Sequence, residues 1–546
     1  MRSRGAEGTR SQEGRSTATS AVAVALCAWS AVSTLTACAY TDLCWEVAAC
    51  APDPEPPPDR CAGEPGKAPA LDECGVFVSE QGNDENPGTK GAPVKTLQHA
   101  VGLAASGRGG GEAPTRRVYA CGGAFEEAIT LPAGVDLWGG RLCDGGDWSY
   151  GWSFDGPNQL TTIAPPAGVP VRVLPGDDTS TIFGVRAVAA DGSASDGKSS
   201  IAMILSQGAR AIVRSSEIIA GDGNDGEAGE DAPSARARDG VLGNDGANAC
   251  TAEFTPGALP VVTVCDDGTE STGGYGGDGG IESGGDGSSG QPAPVENDED
   301  WGRAGSGAGT SPCKDGEDGK KGLDGGRAGG AVGVGHLGID GWTGVRGDDG
   351  KKGGVGQAGG GGGGSKSRGD MGACPMGGAQ GGAAGGSGGS GGCGGRGGKG
   401  GGYGGASIGI VALQGSALTV EASEVLAGTG GRGGVGGTGQ LGGRGGSGGQ
   451  GGVHPFDGLW PACDGGTGGP GGRGGDAGGG LGGPSFGVAS VGASVALALD
   501  ATVLPGTPGE GGLAGNAAFD DKRGAGDAGQ ATFWYRFDAP APESPR

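Results

Sequence analysis

The chain has 546 residues, of which 138 are glycine, about a quarter, where globular composition carries roughly 7%. Apolar residues make up 34% and aromatics 5%, so a single side-chain core running through the whole chain would bury too little area to offset the conformational entropy. The net charge of −25, from 38 Lys+Arg against 63 Asp+Glu, argues against nucleic acid as a partner and favours cations or basic surfaces.

Residues 1–37 read as a secretory signal. Arg2, Arg4, Arg10 and Arg15 form a positive leader, Ala21 to Thr34 is an apolar stretch too short to span a bilayer, and Leu35-Thr36-Ala37-Cys38 follows at once. Those four residues resemble the bacterial lipobox, which implies cleavage before Cys38 and lipidation of that residue. Ala39, rather than aspartate, implies the outer membrane, with the surface and periplasmic faces both open. Later segments stay short of the roughly 18 apolar residues of a spanning helix, so lipid is the expected membrane attachment. Cys27 leaves with the leader and Cys38 takes the lipid, which leaves an even number of the 14 cysteines for disulfides in an oxidising compartment. None of them has zinc-site spacing, and their pairing is not legible.

Residues 38–74 form the expected tether, proline-rich from Ala51 to Pro69. Gly75-Val-Phe-Val-Ser79 then alternates like a strand, Gly82 to Gly88 is turn-rich, and Pro93-Val-Lys-Thr-Leu-Gln-His-Ala100 opens a helix with Leu97, Ala100, Val101 and Ala104 on one face. Val118 to Gly123 and Ile129 to Gly140 follow as short strands broken at glycines. This order of GVFVS, GNDENPGT, PVKTLQHA, VYACGG and LPAGVDLWGG resembles the N-terminal module of extracellular right-handed parallel β-helices of the pectate-lyase-like superfold, over Gly75 to about Gly140. The resemblance implies a helix capping the first coil and short strands stacked behind it; it implies little about activity.

Three segments of 22 residues, opening at Ser200, Ser407 and Ser485 and closing at Gly221, Gly428 and Gly506, align without a gap. The alignment equates Ile201, Ile408 and Phe486, then Met203, Ile410 and Val488, then Ile212, Thr419 and Leu497. Repeats of this length are about one solenoid coil, which predicts neighbouring rungs, with Gln530 to Phe537 as a closing strand. A β-sandwich is the weaker alternative, since it needs no in-register copies. The expected fold is therefore all-β: a right-handed parallel β-helix solenoid carrying long glycine-rich insertions. Its segments are the cap and first coils at 75–220, an insertion at 221–406, a coil at 407–427, a second insertion at 428–484, and the last coils at 485–546.

The insertions have a period of three. Gly385 to Lys399 is five GGX triplets, and the pattern returns at Gly430 to Thr438, Gly442 to Val453 and Gly465 to Asp476. That period fits polyglycine II-like helices; a disordered chain is the competing reading, and collagen-like runs at Gly316–Gly325 and Gly341–Gly356 lack the proline of a triple helix. The texture resembles PE-PGRS-like glycine repeats, without the N-terminal domain that defines that mycobacterial family.

Chemistry is sparse. Arg210, Arg214, Glu217, Glu421, Glu424 and Asp500 are the charged residues on the repeats, with Glu217 and Glu424 at the same position and Thr502 in the third copy. His99, His336 and His454 are scattered, so neither a triad nor a histidine metal site is assembled. Near-matches to calcium-binding RTX repeats at Gly273–Asp278 and Gly471–Asp476 have glycine, Gly280 and Gly478, at the apolar position. Weak calcium binding by Asp266-Asp267, Asp298-Glu299-Asp300 and Asp348-Asp349 stays open, and no other cofactor is expected. The expected function is a non-enzymatic cell-envelope lipoprotein, anchored at Cys38, that displays its glycine-rich segments to a polysaccharide or protein ligand. The alternative is a carbohydrate-active enzyme, a polysaccharide lyase or glycosidase, with paired carboxylates in a groove.

Overall fold

A computed structural model describes residues 60–107, 116–143, 146–151, 160–194, 198–294, 297, 299–368, 374–454 and 458–538. The leader, Cys38 and nearly all of the proline-rich tether lie outside the described residues. The chain divides into the units Met1–Ala62 and Gly63–Arg546; the description below is of the second.

Three parallel sheets are built from short β-branched runs. The first orders Val76–Val78, Arg117–Cys121, Asp136–Arg141, Ser180–Phe183, Arg210–Arg214, Ala417–Glu421 and Ser494–Leu497. The second orders Ile129–Leu131, Val171–Val173, Ser200–Leu205, Ser407–Ala412, Ser485–Val491 and Ala531–Phe537, and the third Gly123–Phe125, Thr161–Ile163, Val185–Val188, Glu217–Ile219, Glu424–Leu426 and Thr502–Leu504. Strict register stacks like on like. In the first sheet the column runs Val76, Val118, Leu137, Ile182, Val213, Val420 and Leu497. In the second it runs Ile129, Val171, Met203, Ile410, Val488 and Trp534. In the third it runs Phe125, Ile163, Ala187, Ile218, Val425 and Val503. These columns converge in one apolar core, where each fully buried aliphatic side chain contributes about 1.5–3 kcal/mol. The helix Leu97–Ser106 lays Leu97, Ala100, Val101 and Ala104 on the first strands, the face that the spacing predicts.

The expectation of an all-β, single right-handed β-helix solenoid carrying loops is corrected by this arrangement. Among the described residues the architecture is three long parallel sheets with one α-helix and two antiparallel two-stranded pairs, Val262–Val264 with Glu270–Thr272 and His336–Gly338 with Gly341–Thr343. The glycine-rich segments are not free loops, because among the described residues the backbones of their triplet runs hydrogen-bond to one another. Short strands stacked at one repeat length do not distinguish such an assembly from a plain solenoid, and that is why the repeat misleads. The gapless alignment also fails in its middle. Thr419 pairs with Ala496 rather than Leu497, because the turn at Gly492 is shorter than its counterpart and the corner at 498–501 restores the missing residue.

The repeats meet the glycine segments through a buried serine ladder. Gly221, Gly428 and Gly506 donate their N–H groups to the hydroxyls of Ser200, Ser407 and Ser485 at 2.7–2.8 Å. Ser407 and Ser485 in turn donate to the carbonyls of Gly221 and Gly428, so each layer is tied to the previous one where the chain leaves the sheets.

Candidate functional site: the glycine lattice and its exposed face

The segment Gly385–Gly405 lies at the centre of the lattice. The N–H groups of Gly386, Gly389, Gly392, Gly395, Gly398 and Gly401 donate to Cys463, Gly466, Gly469, Gly472, Gly475 and Gly478. The carbonyls of the same glycines accept from Gly362, Gly359, Gly356, Gly353, Gly350 and Gly347. On another side, Ser387, Ser390 and Cys393 donate to Asn244, Val241 and Arg238 and accept from Gly449, Gly446 and Gly443. A backbone that turns once in three residues points successive peptides at different neighbours, so every bond recurs at i+3. Close approach demands glycine: a Cβ on Gly394 would overlap the carbonyl of Gly353, and one on Gly361 that of Tyr275.

The number of glycine columns reports how many sides of a segment are covered. Gly223, Gly226, Gly229, Gly240, Gly243 and Gly246 form one column, on a rim segment that bonds along 429–450. The GGX run at 385–399 has two, and its third position is small and buried at Ser387, Ser390 and Cys393 but charged and exposed at Arg396 and Lys399. Gly359–Gly364 has all three, and each glycine in it is buried against a neighbouring backbone. The collagen-like run Gly316–Gly325 is a rim segment on the same plan, with Gly316, Gly319, Gly322 and Gly325 donating to Asp464, Thr467, Pro470 and Arg473.

Much of the acidity has a structural role that the sequence reading missed. Where aspartate precedes a donating rim glycine, its carboxylate accepts the N–H of the same residue whose carbonyl that glycine has taken. Gly240 donates to the Arg444 carbonyl and Arg444 donates back to Asp239 at 2.6 Å. The same clamp joins Asp225 to Arg432, Asp245 to Gln450, Asp318 to Thr467 and Asp324 to Arg473, each at 2.7 Å. Asp231 clamps Thr438, whose N–H and hydroxyl hold the Asp231 carboxyl below the usual carboxylate range. The available signal is Asp-Gly recurring at multiples of three. The RTX-like aspartates also accept backbone N–H groups of neighbouring segments, Asp278 from Gly257 and Asp476 from Gly439, without closing this clamp.

Of the charged residues expected on the repeats, Glu217, Arg214 and Glu421 stand in ion pairs. Glu217 and Glu424 are direct partners, with Arg186 on the far side of Glu217 at 3.1 Å. Arg214 binds Glu421 and Glu64, Asp500 accepts the N–H of Ala422, and Arg210 is exposed. His99 is on the helix and His336 in a two-stranded pair, while the Nδ1 of His454 is buried without a partner among the described residues. Asp266 and Asp267 bind Lys352, Asp266 also binds Arg396, and Asp349 binds Lys399. No group of three or more His, Cys, Asp or Glu side chains among the described residues could hold a metal ion.

One face of the lattice groups several exposed apolar side chains. Val241, Leu242, Leu259, Val262 and Val264 are exposed there on neighbouring segments, joined by bonds from Val241 N–H to Thr263 Oγ1 and from Asn244 to the Leu259 carbonyl. Beside them Arg236, Arg238 and Arg396 line a cavity of about 250 Å³ with Asp266. Cys265–Cys393 fastens this face to the central segment, and Cys250–Cys374 and Cys313–Cys463 fasten other parts of the lattice. Cys121–Cys143 lies among the sheets.

No family model, curated protein or solved structure matches this chain.

Proposed function

We infer that this chain is a cell-envelope display protein, lipid-anchored at Cys38, whose glycine lattice presents a rigid binding face to a polysaccharide or protein ligand. The observation that carries the reading is the exposed apolar face of Val241, Leu242, Leu259, Val262 and Val264 beside the arginine-lined cavity, on a chain otherwise strongly acidic. Exposed apolar groups grouped in this way mark interaction surfaces, and arginine is the residue type that adds directional binding at them. The disulfide Cys265–Cys393 holds the face without a large side-chain core beneath it, which favours a preorganised surface over a mobile loop.

Retention on isolated cell envelopes tests the binding face. With Cys38→Ala in both chains to remove the lipid, the chain with the intact face is expected to be retained, and Leu259→Asp combined with Arg238→Ala to be released about tenfold or more readily; equal retention of the two rejects the face. The anchor is tested separately by mass spectrometry of the mature N-terminus, where Cys38→Ala or globomycin should abolish acylation and an unmodified wild-type N-terminus rejects it.

A further inference from the structure

The two ends of the sheet stack are finished differently. At the first end the helix Leu97–Ser106 covers the opening strands. At the other, the three sheets end on Ser494–Leu497, Thr502–Leu504 and Ala531–Phe537, each paired on one side only among the described residues. Exposed large apolar side chains gather in this last layer: Leu499, Leu504 and Phe533, with Phe519 in the glycine segment that joins the last two of these strands. The protections usual for an open edge, proline, lysine or a bulge, are missing from Ala531-Thr-Phe-Trp-Tyr-Arg-Phe537.

We propose that this end is a self-association surface occupied by a second copy of the chain, the two Ala531–Phe537 strands pairing antiparallel about a two-fold axis at Trp534. Charge pattern selects this occupant. The strand has one charge, Arg536, whose guanidinium lies 3.7 Å from the Trp534 ring centroid. Pairing about Trp534 sets Arg536 opposite Thr532 of the other copy, Phe533 opposite Tyr535 and Trp534 opposite its counterpart, so like charges do not meet and three aromatic cross-strand pairs form. The residues that follow Asp538 do not suit the role, since Pro540, Pro542 and Pro545 lack the N–H a ladder requires. This surface is distinct from the arginine-flanked face, and the inference does not rest on it.

The test is sedimentation equilibrium of the full chain carrying Cys38→Ala, which removes lipid as a source of association. A concentration-dependent monomer–dimer equilibrium is expected. Thr532→Glu, opposite Arg536, should tighten it severalfold in low salt, Thr532→Arg should weaken it severalfold, and Phe533→Asp should weaken it about tenfold or more. A monomer at all concentrations overturns the proposal, as does a dimer indifferent to all three substitutions. Equal effects of Thr532→Glu and Thr532→Arg overturn the register. Unchanged hydrogen-exchange protection at Ile201–Leu205 in each variant shows that the sheets remain folded.

Discussion

The sheets and the glycine lattice are both close-packed, and they reach that state by opposite means. In the sheets the backbone makes one ladder per side and the buried apolar columns supply the driving force. In the lattice there is almost no side chain to bury, and each segment instead exchanges backbone hydrogen bonds with several neighbours. Such a bond contributes only about 0.5–1.5 kcal/mol net, while ordering glycine costs about 0.5–1 kcal/mol more per residue than ordering alanine. The lattice is therefore the more marginal region unless its unfolded state is restricted. Three disulfides closing separations of 124, 128 and 150 residues provide that restriction.

The comparison breaks most readily there. On the chain-entropy account a loop of this length is worth about 4–5 kcal/mol per disulfide, at the upper end of what a single side chain contributes. Reduction at neutral pH should strip hydrogen-exchange protection from Gly386–Gly401 while Ile201–Leu205 and Ile408–Ala412 keep theirs. Simultaneous loss in both regions would mean that the two are one cooperative unit.

Side-chain truncation should act in the reverse direction. Phe486 is fully buried, stacked on Tyr535 at 4.9 Å and edge-on to Phe537. Phe486→Ala should cost about 3–5 kcal/mol, read as an earlier unfolding of the sheets by denaturant melts. Adding one methyl is the corresponding insult to the lattice. Gly394→Ala forces a Cβ into the Gly353 carbonyl and should cost about 1–3 kcal/mol or more, whereas Gly326→Ala, where a Cβ meets open space, should be nearly neutral. Equal melting of these two variants would refute the close approach.

What was legible follows the same division. Helix face and strand runs could be read because Leu97, Ala100, Val101 and Ala104, or Met203, Ile410 and Val488, report burial by their own spacing. The period of three was equally plain. The assembly of three sheets was not, nor was the neighbour order of the lattice, because a glycine looks the same whichever segment it touches. The disulfides were illegible for a related reason: Cys265 and Cys393 are brought together by lattice order alone. The role of Asp-Gly is illegible in sequence because its partner, such as Arg444 for Asp239, lies about 200 residues away. Among the candidate residues of the repeats, the pairing of Glu217 with Glu424 followed from the alignment, whereas the exposed face at 241–264 carried no motif.

Acid should act more strongly on the lattice than on the sheets. In the lattice, Asp231 is held low by the Thr438 N–H and hydroxyl, Asp324 by Lys321 and the Arg473 N–H, and Asp349 by Lys399 and the Gly400 N–H. A carboxyl lowered in the folded state contributes stability that is complete above its unfolded value, about 3.9, and is lost as the pH falls through the lowered folded value. In the sheets, burial raises Asp136 although it accepts the Thr181 N–H and faces Arg117, so its ionised form opposes folding and protonation relieves that cost. Between pH 5 and pH 2 the lattice should thus lose protection, after correction for intrinsic exchange rates, ahead of the sheets. Asp231→Ala should reproduce a small part of this at neutral pH by leaving the Thr438 N–H without its acceptor, and Asp231→Asn, which keeps an acceptor oxygen, should be milder. An acid response equal in both regions would show that the aspartate clamps are incidental to the lattice, with its cohesion resting on the glycine backbone bonds alone.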